Sequence, residues 1–172
     1  MDRPEKWAPS PPAERTTIRR CADGDANRIL GLMREVFIVE MGWDRAFIVD
    51  AARVLKQMLS NRRPGRDLFL VSESSGMIIG VMFLLDIGAG TGFVRWLVVH
   101  KDFRGIGLGR ALLDRALEFC RGNSFAKVRL VTVRDLSRAR EFYLAAGFRE
   151  VGRHPDILWR MPHSLCFMET EI

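Results

Sequence analysis

The chain has one tyrosine, three histidines and three cysteines in 172 residues, and no apolar run approaching the ~18 residues of a membrane span. Cys21, Cys120 and Cys166 are far apart and odd in number, which argues for buried thiols rather than a disulfide framework. His100, His154 and His163 fall at no metal-ligand spacing, and His163 with Cys166 makes only a weak pair, so no metal is expected. The Gly-Lys-Ser/Thr triplet of a P-loop is missing. No signal-peptide core opens the chain, so a cytoplasmic location and no membrane partner are expected.

What is present is an ordinary globular composition, 48% hydrophobic and 28% charged, and a length that buries roughly two-thirds of the unfolded surface in one domain. Residues 1–14 carry Pro4, Pro9, Pro11 and Pro12 with few core-forming residues, which predicts a disordered leader before a single domain over 15–172. Lysine plus arginine number 27 against 21 acids, a formal charge of +6 that steers anions toward the protein. Nucleic acid is not expected as that anion, because no helix-turn-helix, zinc-finger or RNA-platform signature occurs and the basic residues are spread along the chain.

Residues 94–111 read VRWLVVHKDFRGIGLGRA. Phe93 to Val99 has the β-branched and aromatic content of a buried strand, and from Leu108 onward apolar residues recur at helical spacing. Gly105, Gly107 and Gly109 therefore occupy a strand-to-helix turn flanked by Arg104 and Arg110. Glycines let backbone N–H groups approach an anion closely, and the helix N-terminus adds about half a positive charge there. A Rossmann fingerprint is excluded, since Arg110 and Leu112 stand where its third glycine is needed.

The remaining pattern predicts an α/β fold with a mixed, twisted sheet of about six or seven strands flanked by helices. A short strand over Thr16 to Arg20 leads to a helix capped by Asp23 or Asp25 and ending near Glu40. A second amphipathic stretch carries Phe47, Ala51, Val54, Leu55 and Met58 on one face. Asn61 to Asp67 reads as a loop with solvated arginines, and Leu68 to Glu73 with Met77 to Leu85 as a hairpin. Lys127 to Val133 reads as a strand returning parallel to the central one. Asp135 or Ser137 caps the next helix, with Gly147 at its left-handed end. Strands are expected near Arg149 to Arg153 and Leu165 to Thr170, joined by a loop at Arg160-Met161-Pro162-His163.

Arg104, Gly107 and Gly109 fill the defined positions of Q/R-x-x-G-x-G/A, and Ala139, Phe142, Tyr143, Gly147 and Phe148 those of A-x-x-F-Y-x-x-x-G-F. With these two motifs the chain resembles the GNAT superfamily of N-acetyltransferases, over at least Thr17 to Arg153. The likeness is closest to acetyltransferase domains fused to MarR-type winged helices, which pair an E-x-G-W segment, here Glu40, Gly42 and Trp43, with a strand like Arg95 to Val99. No winged helix is expected within these 172 residues.

The resemblance implies acetyl-CoA as cosubstrate, a better match to the basic charge than nucleic acid, and a primary amine, small molecule or peptide, as acceptor. It implies that Leu97, Val98 and Val99 line the pantetheine arm, with Val99 supplying an N–H to the developing oxyanion. Arg104, Gly105, Ile106, Gly107, Leu108, Gly109 and Arg110 would hold the pyrophosphate, and Tyr143 would protonate the departing thiolate. The first two helices would form the acceptor side, where Glu40 and Asp44 attract an ammonium group and Trp43 holds it by a cation–π contact. Structural alternatives stand beside these roles: Gly42 ending a helix, Asp44 capping the next, Trp43 and Tyr143 packing. Two departures from the family pattern are Arg95 and Trp96, where many members carry an acid, and Leu136 in place of an asparagine. A non-catalytic acyl-CoA-binding module is the alternative reading, a basic nucleic-acid-binding protein, motivated only by charge, is a second, and a homodimer is left open.

Overall fold

Leu68 to Val71 alternate strictly between two cores: Leu68 and Leu70 join one apolar cluster, Phe69 and Val71 the other. A strand that is apolar at every position must be covered on both faces, and helices on both faces supply that cover. The computed structural model describes residues 16–133, 136–158 and 161–172. The expected leader, Asp135 and Arg160 lie outside the described residues.

The chain runs β1 (Thr17–Arg20), α1 (Ala26–Met33), α2 (Ala46–Ser60), β2 (Leu68–Ser74), β3 (Met77–Asp86), β4 (Thr91–Val99), α3 (Leu108–Gly122), β5 (Lys127–Val133), α4 (Ser137–Ala145), β6 (Arg149–Leu158) and β7 (Met161–Glu171). A π-helical segment, Arg34–Glu40, prolongs α1 to the expected end. The strands form one seven-stranded sheet in the order β1-β2-β3-β4-β5-β7-β6. Its one parallel pairing joins β4 to β5, across the α3 crossover.

On one face α3 contributes Leu112, Leu113, Ala116 and Cys120, and α4 contributes Tyr143, against Met82, Leu84, Val94 and Leu130. On the other, Ile29, Leu32 and Met33 of α1 and Phe47, Ala51 and Leu55 of α2 cover Val81, Phe83, Trp96 and Val98. Each such side chain contributes about 1.5–3 kcal/mol when fully buried, so the apolar periodicity alone suffices to dock the four helices.

Four sequence expectations are corrected. Met161 to His163 belong to β7, not to a loop: Ile157 pairs with Pro162 and Leu158 with Met161. Proline is tolerated there because, among the described residues, β7 meets β5 only from Leu165 onward, so its other edge has no ladder partner at Pro162. For the same reason Pro155 fits in β6, an edge strand, and the hairpin extends well past Arg153. Ser137 begins α4 as its first helical residue, with Leu136 in the cap position. The arginines of the Asn61 to Asp67 loop are not simply solvated. Asp67, whose side chain is 2% exposed, accepts from Arg63 Nη2 at 2.9 Å and from the Asp86 backbone N–H at 2.9 Å, while Arg66 pairs with Asp86 at 3.0 Å.

Candidate active site

The site is set by a break in the sheet. Leu84 pairs with Val94 and Phe83 with Trp96, which leaves Arg95 as an extra residue on β4. Such a bulge sharpens the local twist and swings the strand aside. The pairing of β4 with β5 accordingly ends at Val94 and Leu130, although β4 continues to Val99 and β5 to Val133. Beyond that point β4 stays with β3 and β5 with β7, so the two halves of the sheet splay apart.

The open edge of β4 has a definite polarity. The His100 N–H donates to the Ile79 carbonyl at 2.8 Å, across β3. Backbone direction alternates along a strand, so Val98 also faces β3 while the N–H and C=O groups of Leu97 and Val99 face the splay. Leu97 and Val99 are thus the residues that offer backbone donors to it; Val98 turns its own toward Val81. Their side chains lie against the α3 cluster.

The turn after β4 has the expected form. Gly105 has φ +78° and Gly107 φ +86°, a left-handed conformation that glycine adopts without cost. Gly107 caps α3, and the first bond of that helix runs from the Ala111 N–H to the Gly107 carbonyl at 2.9 Å. The N–H groups of Leu108, Gly109 and Arg110 precede it and have no intrahelical acceptor, which leaves them free for an anion. Ile106 is exposed on the turn. At Gly109 a Cβ would stand 3.7 Å from Val99 Cγ2 and 3.8 Å from Phe142 Cε2, so the start of α3, the end of β4 and α4 meet at this residue.

Tyr143 is 7% exposed and packs edge-on against Phe142 and Phe148, with centroids 5.2 and 5.6 Å away. Burial pushes its phenol well above the ordinary value.

Arg104 is committed within the protein. Its Nε donates to the Val99 carbonyl at 2.9 Å, and Nη1 and Nη2 hold both oxygens of Glu40 at 2.5 and 2.8 Å. The guanidinium depresses the Glu40 pKa below the usual glutamate range, which makes this carboxylate a weak base. Asp44 accepts the Ala46 N–H at 2.7 Å and so caps α2. Trp43 packs on Phe37 and Phe47 at 4.8 and 5.3 Å. Arg110 pairs with Asp114 at 2.8 Å, one turn along α3. The structure therefore joins Val99, Arg104, Glu40, Gly109 and Phe142 in one region, while Asp44, Trp43 and Arg110 have structural partners.

Residues 65–150 match the family model described as "Acetyltransferase (GNAT) domain". The chain belongs to the GNAT acetyltransferase family. Within it, the domain is 31% identical over 118 residues to N-acetyltransferase 8B of Rattus norvegicus, covering 65% of this chain and 52% of the relative. It is 38% identical over 88 residues to mycothiol acetyltransferase of Beutenbergia cavernae, covering 51% and 30%. The chain spans about half or less of the length of these relatives. A GNAT-family acetyltransferase of Staphylococcus aureus Mu50 shares the fold at 20% identity, with a TM-score of 0.77 over 91% of this chain and 99% of that one. A Salmonella typhimurium protein solved with its cofactor acetyl-CoA superposes with a TM-score of 0.70 at 18% identity, over 92% and 94%. The expected α/β fold with a mixed sheet flanked by helices is thus that of GNAT proteins, its observed strands numbering seven.

The structure includes features that the sequence alone does not reveal. The bulge at Arg95 and the splay it creates leave no composition signal, although a lone arginine in an otherwise apolar strand was a clue to a special position. The Glu40–Arg104 pair could be found only from the fold.

Proposed function

We propose that the chain transfers an acetyl group from acetyl-CoA to a primary amine by direct attack. The observation that carries this is the splay of β4 from β5, opening beside a helix N-terminus whose glycines hold left-handed turns. The residues fit the cosubstrate: a Cβ at Gly105 or Gly107 would meet nothing within 4 Å, so the turn has room on the side where a phosphate approaches. The backbone of Gly105 to Arg110 would hold the pyrophosphate, and the open edge of Leu97 to Val99 the pantetheine arm. Acetyl-CoA supplies an acetyl group already activated as a thioester, so no nucleophile of the protein is required.

The tasks of the chain are positioning and charge handling. The outward N–H groups of Leu97 and Val99 would stabilise negative charge developing on the carbonyl oxygen. The Tyr143 hydroxyl would hydrogen-bond the departing sulfur, its raised pKa making it a weak acid that acts mainly through that bond. Arg104 fixes the Val99 carbonyl and thereby the end of β4 beside the glycine turn. Glu40, held as an ion pair, would position Arg104 rather than remove a proton. The printed names of the two relatives, an N-acetyltransferase and a mycothiol acetyltransferase, support the reaction class.

The E-x-G-W segment and the Arg95 to Val99 strand support a place beside the domains that follow MarR-type winged helices. Three buried free cysteines support a reducing, cytoplasmic setting. Among the described residues no helix is long and apolar enough to cross a membrane, and no group of three or more His, Cys, Asp or Glu could hold a metal ion. The test is an acceptor screen that follows free thiol released from acetyl-CoA. Amine-dependent release supports acetyl transfer; acetyl-CoA binding without release for any amine would favour an acyl-CoA-binding module.

A further inference from the structure

Arg95 differs from the other cations around the core. Arg19, Arg28, Arg63, Arg104 and Arg129 each hold a carboxylate. Arg95 is half-buried and, among the described residues, has no ion pair and no hydrogen bond. Its guanidinium lies 5.6 Å from the centroid of the Trp96 ring, which places it on the α1–α2 face of the sheet. The nearest influential acid, Asp50 of α2, is already gripped by Arg53 at 2.6 Å. Burial lowers the Arg95 pKa and Asp50 only offsets this, so the site disfavours the charge it carries.

Position gives this unpaired charge its meaning. Arg95 is the bulged residue itself, at the mouth of the splay, on the face opposite the α3 turn that would receive the pyrophosphate. An acceptor approaching β4 from the α1–α2 side would meet it. A planar guanidinium with its stem packed and its fork unused is suited to a bidentate grip on a carboxylate, which supplies the missing countercharge.

We propose, resting on the acetyl-transfer reading, that Arg95 binds a carboxylate of the acceptor and selects amines that carry one. Arg95 and Leu97 lie two residues apart, roughly 7 Å along the strand. Because the guanidinium stays over the ring of the neighbouring Trp96, the acceptors it suits are small molecules that carry the nitrogen and the carboxylate close together, as in amino acids and their side-chain derivatives. A protein N-terminus, with a peptide amide where the carboxylate stands, is disfavoured.

The experiment pairs each amino acid with its decarboxylated amine, as L-phenylalanine with phenethylamine, and follows thiol release from acetyl-CoA. The wild type is expected to favour the carboxylated member by at least about tenfold in kcat/KM, and Arg95→Met, which keeps the packed stem, to reduce that ratio about 10- to 100-fold. Arg95→Lys should restore part of it. Melting temperature and coenzyme A affinity report whether Arg95→Met is folded. A second readout needs no turnover: calorimetry with N-acetyl amino acids and the matching N-alkylacetamides in the presence of coenzyme A. Arg95-dependent binding of the acids without turnover would remove acetyl transfer and leave the carboxylate site standing. Turnover that ignores the carboxylate, equal losses for both members in Arg95→Met, or no carboxylate-bearing compound bound or used would overturn the proposal.

Discussion

Arg104 and Glu40, 64 residues apart in sequence, form a bidentate ion pair at 2.5 and 2.8 Å that ties the turn after β4 to the end of the first helical segment. The pair links what the sequence separates into a cofactor side and an acceptor side. Because the Arg104 side chain is 36% exposed, solvent screening limits its stability contribution to about 0.5–1 kcal/mol. Glu40→Gln and Arg104→Gln should therefore show similar, non-additive losses of coenzyme A affinity, because either change frees the same end of β4. A double-mutant cycle measured by calorimetry checks this, and additive losses would show that the pair does not act as a unit.

The pH dependence follows from the direction of the Glu40 shift. Its folded-state pKa is depressed by Arg104, so its contribution is present in full above the ordinary glutamate value of about 4.3 and is lost as pH falls through the lower folded value. Wild type and Glu40→Gln should differ in melting temperature by a constant amount from about pH 6 to 9, narrowing only in the acid range. Glu40 should likewise contribute no limb to kcat/KM between those values. A limb near neutrality that disappears in Glu40→Gln would instead make Glu40 a general base.

Gly107→Val isolates the glycine turn. A Cβ there meets no heavy atom within 4 Å, so the penalty comes from φ +86°, about 1–2 kcal/mol for an L-residue in the left-handed region. The expected result is a fall of about 2–8 °C in melting temperature with the fold retained. Coenzyme A affinity should fall more than about tenfold, as relief of strain turns the first helical amides away from the phosphate. Unaltered affinity would detach the turn from cofactor binding.

Tyr143→Phe keeps the ring packing on Phe142 and Phe148 and removes only the hydroxyl. General acids contribute about 10² to 10⁴ in rate, and the raised phenol pKa puts the expectation at the lower end, a kcat loss of about 10- to 100-fold with acetyl-CoA affinity kept. Wild-type kcat, under conditions where chemistry limits turnover, would leave Tyr143 a packing residue.

Asp67→Ala tests a structural acid. It strips acceptors from the Arg63 and Asp86 backbone N–H groups, bonded at 2.9 Å each, as well as from the Arg63 guanidinium. A loss of about 2 kcal/mol is expected, or roughly 4–8 °C in melting temperature, with catalysis by the folded protein unaffected. A melting temperature within a degree of the wild type would contradict the assignment.

The parts of the fold that sequence made legible are those governed by local rules. β5 has the expected bounds, Lys127–Val133, and α3 begins at the expected Leu108, because β-branching, apolar periodicity and the Gly107 cap act within a few residues. The parts that were not legible depend on distant neighbours. Whether Arg95 is an ordinary strand residue or a bulge depends on how Phe83 and Leu84 pair across from it. Whether Glu40 is a free carboxylate depends on where a turn 64 residues later places Arg104. The β6–β7 hairpin is longer than the expected strands because a segment containing Pro162 reads as a loop, whereas proline is tolerated at the edge of a sheet. Asp44 shows the converse: its capping bond to Ala46 is local and was among the alternatives that sequence offered.

The central claim is that acetyl-CoA lies along the open edge of β4 and against the N-terminus of α3. Residue-resolved amide hydrogen exchange, with and without coenzyme A, tests it most directly. The account predicts that coenzyme A slows exchange at Leu97 and Val99, whose N–H groups face the splay, and at Gly105 to Arg110, while Val98, bonded within the sheet in both states, changes little. Protection confined to other elements, with Leu97, Val99 and Gly105 to Arg110 exchanging as fast as before, would contradict it.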